Sequence, residues 1–532
     1  LTLEVRTNGI STVNTFTRDA SNNKVSIDFK QIYDRQFINA STSSRYTPLE
    51  EQGNMLIICH GAFMPEMEAF VEWKRTIGIP VEIVDVSTIG VNSGAIKTFV
   101  ANYYATNGLT YLLLVGDNAQ IPTVTGSGLG GPSDHSYGYL AGNDHYPDIF
   151  VGRFSAETAA HVITQVERSI TYEQNPDVTI DWFSKGVGIG SSEGTGDDGE
   201  YDWEHMRNIR TDLMGFTYTT VAELYDGSQG GEDLPGNPNS ASVATEVNAG
   251  RSIINYVGHG SQTSWGTTGF SNSGVNALTN NNMWPYIFSV ACVNGEFMNA
   301  TCFAEAWLRA TNATGPTGAV ATLMSTINQS WNPPMEGQDA MNDILVESYD
   351  DNIKRTFGGV SINGCNKMND TYGPDGYEMT DTWLIFGDPS LMIRTANPLP
   401  LVLEHSDVAF TGSSQFEIEC DVEDAIACLT MNGEILGTAI VTGGSAIIDI
   451  PVLAEVGMMK LAVTAFNYIP YIADIEIIPL NGPYLVYDNT IIIDTEGNNN
   501  QQLDYSETVN LALGLKNAGT EEAVNVTVNI QC

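Results

Sequence analysis

INYVGHGSQTSW at residues 254–265, followed by YIFSVACVNGEF at 286–297, decides how this chain is read. Each stretch opens with an apolar run the length of a buried strand and stops at a reactive side chain set among small residues. In the first that side chain is His259, between Gly258 and Gly260; in the second it is Cys292, preceded by Ala291 and followed shortly by Gly295. A continuous apolar run is the pattern of a parallel strand covered on both faces. Ligands of open α/β sheets sit past the carboxyl ends of such strands, and both side chains lie at that edge. One helix-length connection separates them, so a right-handed crossover makes their strands neighbours. Side by side they can form a thiolate and imidazolium pair, with the cysteine pKa lowered by the cation and by the start of a helix after Cys292. The small flanking residues let backbone N–H groups approach an oxyanion. Spacing alone fits a buried cysteine and a structural histidine equally well.

Outward from this pair, strands alternate with helices. MLIICHG (55–61), IPVEIVDVS (79–87), LTYLLLVGD (109–117) and DIFVGRFS (148–155) have parallel-sheet character. The segments 65–78, 93–108 and 155–175 between and after them carry apolar residues at helical spacing. A second set follows: KGVGIGSS (185–192), a helix over 203–215, the two opening stretches, a helix over 302–311 and TGAVATLMSTI (317–327). The expected fold class is α/β, with subdomains over 46–181 and 182–397. After that the helices vanish. Short alternating strands with turns at Asn432-Gly433 and Gly443-Gly444 predict a β-sandwich over 398–480. Residues 481–532 read as an incomplete β domain or linker, and the polar residues 1–45 as a linker or the tail of a pro-segment.

Composition narrows the function classes. The chain has 22 Lys plus Arg against 64 Asp plus Glu, a net charge of −42. Such a surface repels nucleic acid. It suits solubility, and the scarcity of basic residues also suits a protease that cuts after them. Seven cysteines without paired spacing indicate neither a disulfide framework nor a zinc site. No apolar run approaches the roughly 20 residues of a membrane-spanning helix. A start at Leu1 without a basic-then-apolar leader reads as a product trimmed from a longer precursor.

INYVGHGSQTSWGTTGF, LTNNNMWPYIFSVACVNGEF, CFAEAWLRA, STINQSW, NIKRTFGGV and TWLIFGDPSLMIR together resemble the gingipain family of cysteine peptidases. The resemblance is stronger to its arginine-specific members than to the lysine-specific one, and runs from about Tyr46 to about Pro479. It implies a caspase-like catalytic unit of two α/β subdomains with parallel-rich sheets, followed by an immunoglobulin-like sandwich. It also implies that Cys292 is the nucleophile and His259 the general base and acid. Glu193 would orient the imidazole or steady its charge, and the N–H groups of Cys292 and Gly260 would be the oxyanion donors. Asp202 is similar to the residue that receives the substrate's arginine, and Trp331 to an aromatic pocket wall; without the resemblance, Asp202 reads as an acid at a helix N-terminus. His60, also after a strand and before a glycine, matches nothing catalytic.

The boundary STSSR/YTPLEE resembles the mature start of arginine gingipains, with Arg45 as the residue after which the enzyme cuts itself and Tyr46 as the new first residue. The family's calcium sites map onto Asp117, Asp144 and Asp148, with carbonyls of Ala141 and Tyr146. The shorter Asp148 stands where the family pattern has Glu. Glu200 and His205 match a second site, and the tail residues Asp494, Asn498, Asn500 and Asp504 could hold another Ca2+ or form a polar loop. The resulting expectation is a secreted or cell-surface thiol protease, made as a zymogen, that cleaves peptides after arginine. Two rivals keep a place: a surface sortase that passes the acyl group to an amine, and a noncatalytic adhesin working through its β domains.

Overall fold

The apolar runs become the ten strands of a single sheet in the computed structural model of the chain. In chain order these are β1 (Met55–Cys59), β2 (Val81–Asp85), β3 (Tyr111–Val115), β4 (Phe150–Phe154), β5 (Lys185–Gly190), β6 (Thr220–Tyr225), β7 (Ile253–Val257), β8 (Tyr286–Val290), β9 (Ala321–Ser325) and β10 (Trp383–Phe386). Their spatial order is β2-β1-β3-β4-β10-β9-β8-β7-β5-β6. β1, β3, β4, β7, β8, β9 and β10 are buried along their whole length, whereas the edge strands β2 and β6 keep partly exposed residues. Continuous apolar runs therefore mark strands covered on both faces. The structure describes residues 48–350, 352–494, 500–502, 505, 508–517 and 519–528. Arg45, Tyr46, Asn498 and Asp504 lie outside them.

Strand direction shows how the two α/β units meet. β10 runs parallel to β4 but antiparallel to β9, and every other pairing in the sheet is parallel. The two units thus share one sheet as parallel halves of opposite direction. Their carboxyl edges lie at opposite ends. His60, past β1, and Asp117, past β3, are at one end; His259, past β7, and Cys292, past β8, are at the other.

Side chains alternate between two cores. Ile253, Val257, Tyr286, Phe288 and Val290 join one cluster with Met335, Met341 and Val360; Ile254, Tyr256 and Ile287 join the other with Phe303 and Trp307. The first three of those partners come from α2 (Asn332–Leu345) and α3 (Phe357–Tyr372), the last two from α1 (Phe303–Arg309). Each fully buried Ile, Val, Leu or Phe contributes roughly 1.5–3 kcal/mol, so the strand ends that bear the reactive residues stand on a heavily stabilised core.

After the sheet come a three-stranded and a five-stranded sheet around their own core. Asn432 and Gly433 both take positive φ, 55° and 79°, as do Gly443 and Gly444, 62° and 89°. The predicted turns form there. Leu485–Ile493 and Asn510–Asn517 pair as a separate two-stranded ribbon.

Candidate active site

Four strand ends of one sheet half converge. Val257 of β7 pairs with Val290 of β8 on one side and Gly190 of β5 on the other, so Ser191, Glu193, His259 and Cys292 leave the sheet side by side. β9, next to β8, leads into the loop that carries Gln329 and Trp331. A narrow cleft at this edge is lined by Val257, Gly258, Val290, Ala291, Cys292, Gln329, Ser330 and Trp331.

Among the described cysteines Cys292 alone is not buried. Burial pushes the thiols of Cys59, Cys365 and Cys428 up to about 12, and that of Cys302 well above its usual range. Those thiols stay protonated and inert. Cys292 occupies a turn, and the next described helix starts only at Phe303. The expected helix start directly after the nucleophile is therefore absent, and no helix dipole is aimed at the sulfur. In its place the chain turns at Val293, with φ 51°. This left-handed conformation is costly for a β-branched side chain and is sustained only by surrounding structure. Hydrogen bonds from Val293 N–H to Ile327 and from Gly295 N–H to Ser325, 2.9 and 2.7 Å, hold the turn. Cys292 Sγ lies 4.0 Å from the Gln329 carbonyl.

His259 Nε2 stands 3.8 Å from a Glu193 carboxylate oxygen, with side chains 66% and 59% exposed. That is too long for a hydrogen bond. The His259 ring meets the Trp331 ring edge-on, with centroids 5.3 Å apart. Gly260 packs against the Cys292 backbone: a Cβ there would lie 2.6 Å from the Cys292 carbonyl oxygen and 3.0 Å from its nitrogen. Only glycine allows this approach.

Asp202, hydrogen-bonded to the cleft residue Trp331, is fully buried. Ser191 Oγ donates to its Oδ2 at 2.5 Å and Trp331 Nε1 to its Oδ1 at 2.8 Å. Burial raises its carboxyl pKa, opposed by those two hydrogen bonds. Each carboxylate oxygen retains a further lone pair. Trp331 is thus more than a pocket wall, because its indole N–H orients the acid. Ser191 Oγ also accepts the Glu193 N–H at 3.0 Å, joining the acid's support to the loop beside His259.

Residues 48–394 match the model of Peptidase family C25, and 406–478 that of its C terminal ig-like domain. The chain belongs to peptidase family C25. It is 41% identical over 478 residues to Gingipain R2 of Porphyromonas gingivalis, an alignment covering 87% of this chain and 63% of that protein. The chain thus spans less than two thirds of that relative's length. The crystal structure of the Arg specific cysteine proteinase gingipain R is similar with a TM-score of 0.78 at 41% identity, over 81% of this chain and 100% of that one. A complex of Porphyromonas gingivalis RgpB pro- and mature domains is similar with a TM-score of 0.76, over 80% and 100%. The chain accordingly has the caspase-like catalytic fold of this family, followed by the immunoglobulin-like sandwich.

The C25 residues expected to hold metal fare unequally. Asp117, Asp144 and Asp148 are not gathered into one group. Asp117 pairs with the Arg309 guanidinium at 3.1 Å, Asp148 accepts the N–H groups of Leu140 and Ala141 at 2.7 Å, and Asp144 accepts that of Tyr146 at 3.1 Å. Among the described residues, the side-chain groups that gather as a metal cluster do not include these three. Glu200 and His205 do come together, and Asp339 joins them, a residue that sequence reasoning missed. His205 Nδ1 lies 2.9 Å from Glu200 and 3.5 Å from Asp339. Burial pushes Asp339 up to about 7, and the two carboxylates raise His205 against burial. In the tail, Asp494 accepts N–H groups of Asn500 and Gln501, as in a polar loop.

Ser191 and Gln329 were also missed. Gln329 Oε1 accepts the Ala291 N–H at 2.9 Å, pinning the residue before Cys292. Neither has a chemical signature in sequence, since Ser and Gln are common loop residues.

Proposed function

We propose that this chain is an extracellular cysteine endopeptidase that hydrolyses peptide bonds after arginine, matured by its own cut between Arg45 and Tyr46. The observation that carries the reading is a half-buried thiol and an exposed imidazole at the ends of neighbouring strands, together with a fully buried carboxylate held by Ser191 and Trp331. His259 takes the Cys292 proton. The thiolate adds to the substrate carbonyl, and the N–H groups of Cys292 and Gly260 receive the oxyanion. On collapse the C–N bond breaks and His259 protonates the leaving amine. A water deprotonated by His259 then cleaves the thioester and restores the thiol. Asp202 supports arginine at the cleaved position, because a buried guanidinium needs a paired, hydrogen-bonded carboxylate.

The chain's own arginines agree with this substrate. Among the described residues no arginine side chain is more than 28% exposed; Arg153, Arg168 and Arg394 are buried and the rest are tied by ion pairs. Arg6, Arg18, Arg35 and Arg45 all precede Tyr46 in sequence. Mass spectrometry of the full chain tests the proposal: wild type is expected to be cut after Arg45, and Cys292→Ala and Arg45→Ala to remain joined there. Peptides released from an unfolded protein substrate are expected to end in arginine. Processing of isolated Cys292→Ala at this bond, or products with mixed C-termini, would refute it.

Calcium is proposed as a stabilising ion at Glu200 and Asp339, where two carboxylates supply the oxygen donors it requires. His205 lies between them and, protonated, is the competing cation. An ion bound by the folded state alone stabilises by linkage. Chelation is expected to lower Tm by several degrees, and Glu200→Gln with Asp339→Asn to abolish that dependence. A melting curve indifferent to calcium would leave the cluster an internal ion group.

A further inference from the structure

Two donors meet on the carbonyl of His259. Tyr256 Oη donates to it at 2.6 Å and Gly266 N–H at 2.7 Å. Tyr256 is fully buried, three residues before the histidine on β7, and its ring stacks on Trp265 with centroids 4.7 Å apart and planes 8° apart. Its hydroxyl also contacts Thr267 Oγ1 at 3.1 Å and accepts the Thr267 N–H at 3.3 Å. With its proton on the His259 carbonyl, the hydroxyl has a defined direction. Burial pushes Tyr256 up to about 12, so the donor keeps that proton through the neutral range. Gly266 is a close-approach position, where a Cβ would lie 2.8 Å from the His259 oxygen.

A trans peptide points its C=O and its N–H in opposite directions. Holding the His259 carbonyl toward Tyr256 and Gly266 therefore aims the Gly260 N–H the other way. Gly260 opposes Trp265 in the short hairpin Gly260–Ser261/Ser264–Trp265. The Gly266-to-His259 hydrogen bond puts Gly260 at a non-hydrogen-bonded position of that ladder, with its N–H directed outward. Two donors on one carbonyl also polarise the amide, which strengthens its own N–H as a donor.

We infer that Tyr256 is a positioning residue of the oxyanion hole: its hydroxyl fixes and polarises the His259–Gly260 peptide so that the Gly260 N–H meets the developing oxyanion. This rests on the proposed peptidase activity and extends it to a residue that touches neither substrate nor thiol. Tyr256→Phe keeps the ring, its stacking and the Gly266 hydrogen bond, and removes only the hydroxyl. Complete loss of one oxyanion donor costs about 10²–10³ in kcat. Weakening one is expected to lower kcat about tenfold, with KM for an arginyl peptide amide little changed.

The test measures kcat and KM for wild type and Tyr256→Phe, affinity for a peptide argininal, and the rate of Cys292 alkylation by iodoacetamide. The aldehyde forms a tetrahedral oxyanion and is expected to lose affinity in step with kcat. Alkylation forms none and is expected to keep its rate. Thr267→Val, which removes one contact to the tyrosine hydroxyl, is expected to give a smaller loss of the same pattern. Unchanged kcat and aldehyde affinity in a folded Tyr256→Phe would overturn the inference while leaving the peptidase intact. So would parallel loss of alkylation, which would place the effect on the thiolate. A wild type inactive on arginyl peptides would instead sink the functional reading itself.

Discussion

Cys292→Ala is expected to lose at least about 10⁴-fold in kcat on arginyl peptide amides, the scale set by removing a covalent nucleophile while binding and oxyanion groups remain. The fold is expected to survive. Cys292 is only half-buried, and its thiol's hydrogen bond to the Gln329 carbonyl is long at 4.0 Å, so little is lost with it. Melting temperature and cleavage rate measured on the same preparation separate these effects. Near-wild-type turnover, with contaminating protease excluded, would end the thiol mechanism. A collapsed Tm would mean that the site had been misjudged as a surface feature. The other five described cysteines are the internal control, because each is buried. Substituting any of them should disturb stability before chemistry.

Asp202→Asn is expected to reduce kcat/KM for arginyl substrates by about two to three orders of magnitude. Removing one partner of a buried charge pair costs about 3–5 kcal/mol. The amide retains the volume and can still accept the Trp331 N–H, which normally reaches Oδ1 at 2.8 Å, so the fall reports charge rather than collapse. Arginine is expected to exceed lysine strongly in wild type, since a planar guanidinium uses a carboxylate bidentately and an ammonium does not. In the variant that ratio is expected to shrink. The pH profile supplies a second readout. Burial raises the Asp202 carboxyl pKa, so acidification protonates it earlier than an ordinary aspartate and removes the charge the guanidinium needs. The acid limb of kcat/KM for arginyl substrates should contain this ionisation in wild type and lack it in Asp202→Asn. Equal rates on arginyl and lysyl peptides in wild type would refute the pocket.

The strands were legible in sequence because unbroken apolar runs such as Tyr286–Val290 leave no polar face to put in water. The neighbouring placement of β7 and β8 followed from the handedness of crossovers. Turns at Asn432-Gly433 and Gly443-Gly444 were legible because positive φ restricts the residue types allowed. The helix after Cys292 was misread, for a local reason: the residues after the nucleophile are held by hydrogen bonds from Val293 and Gly295 to the loop and strand end past β9, which local propensity cannot register.

Residue types and their order along the chain were sufficient for the fold class and for singling out Cys292 and His259, since reactive groups at apolar strand ends can be recognised one segment at a time. Direction and convergence belonged to the tertiary structure. The antiparallel join of β9 and β10 sends His60 and Asp117 to the end opposite Cys292, a long-range pairing with no local signature. The same folding gives Asp117 to Arg309, brings Asp339 to Glu200 and His205, and turns Trp331 into a hydrogen-bond donor for Asp202. A carboxylate's partner is set by whichever group is nearest in space once desolvation makes an unpaired charge costly, and that distance exists only after the chain has folded.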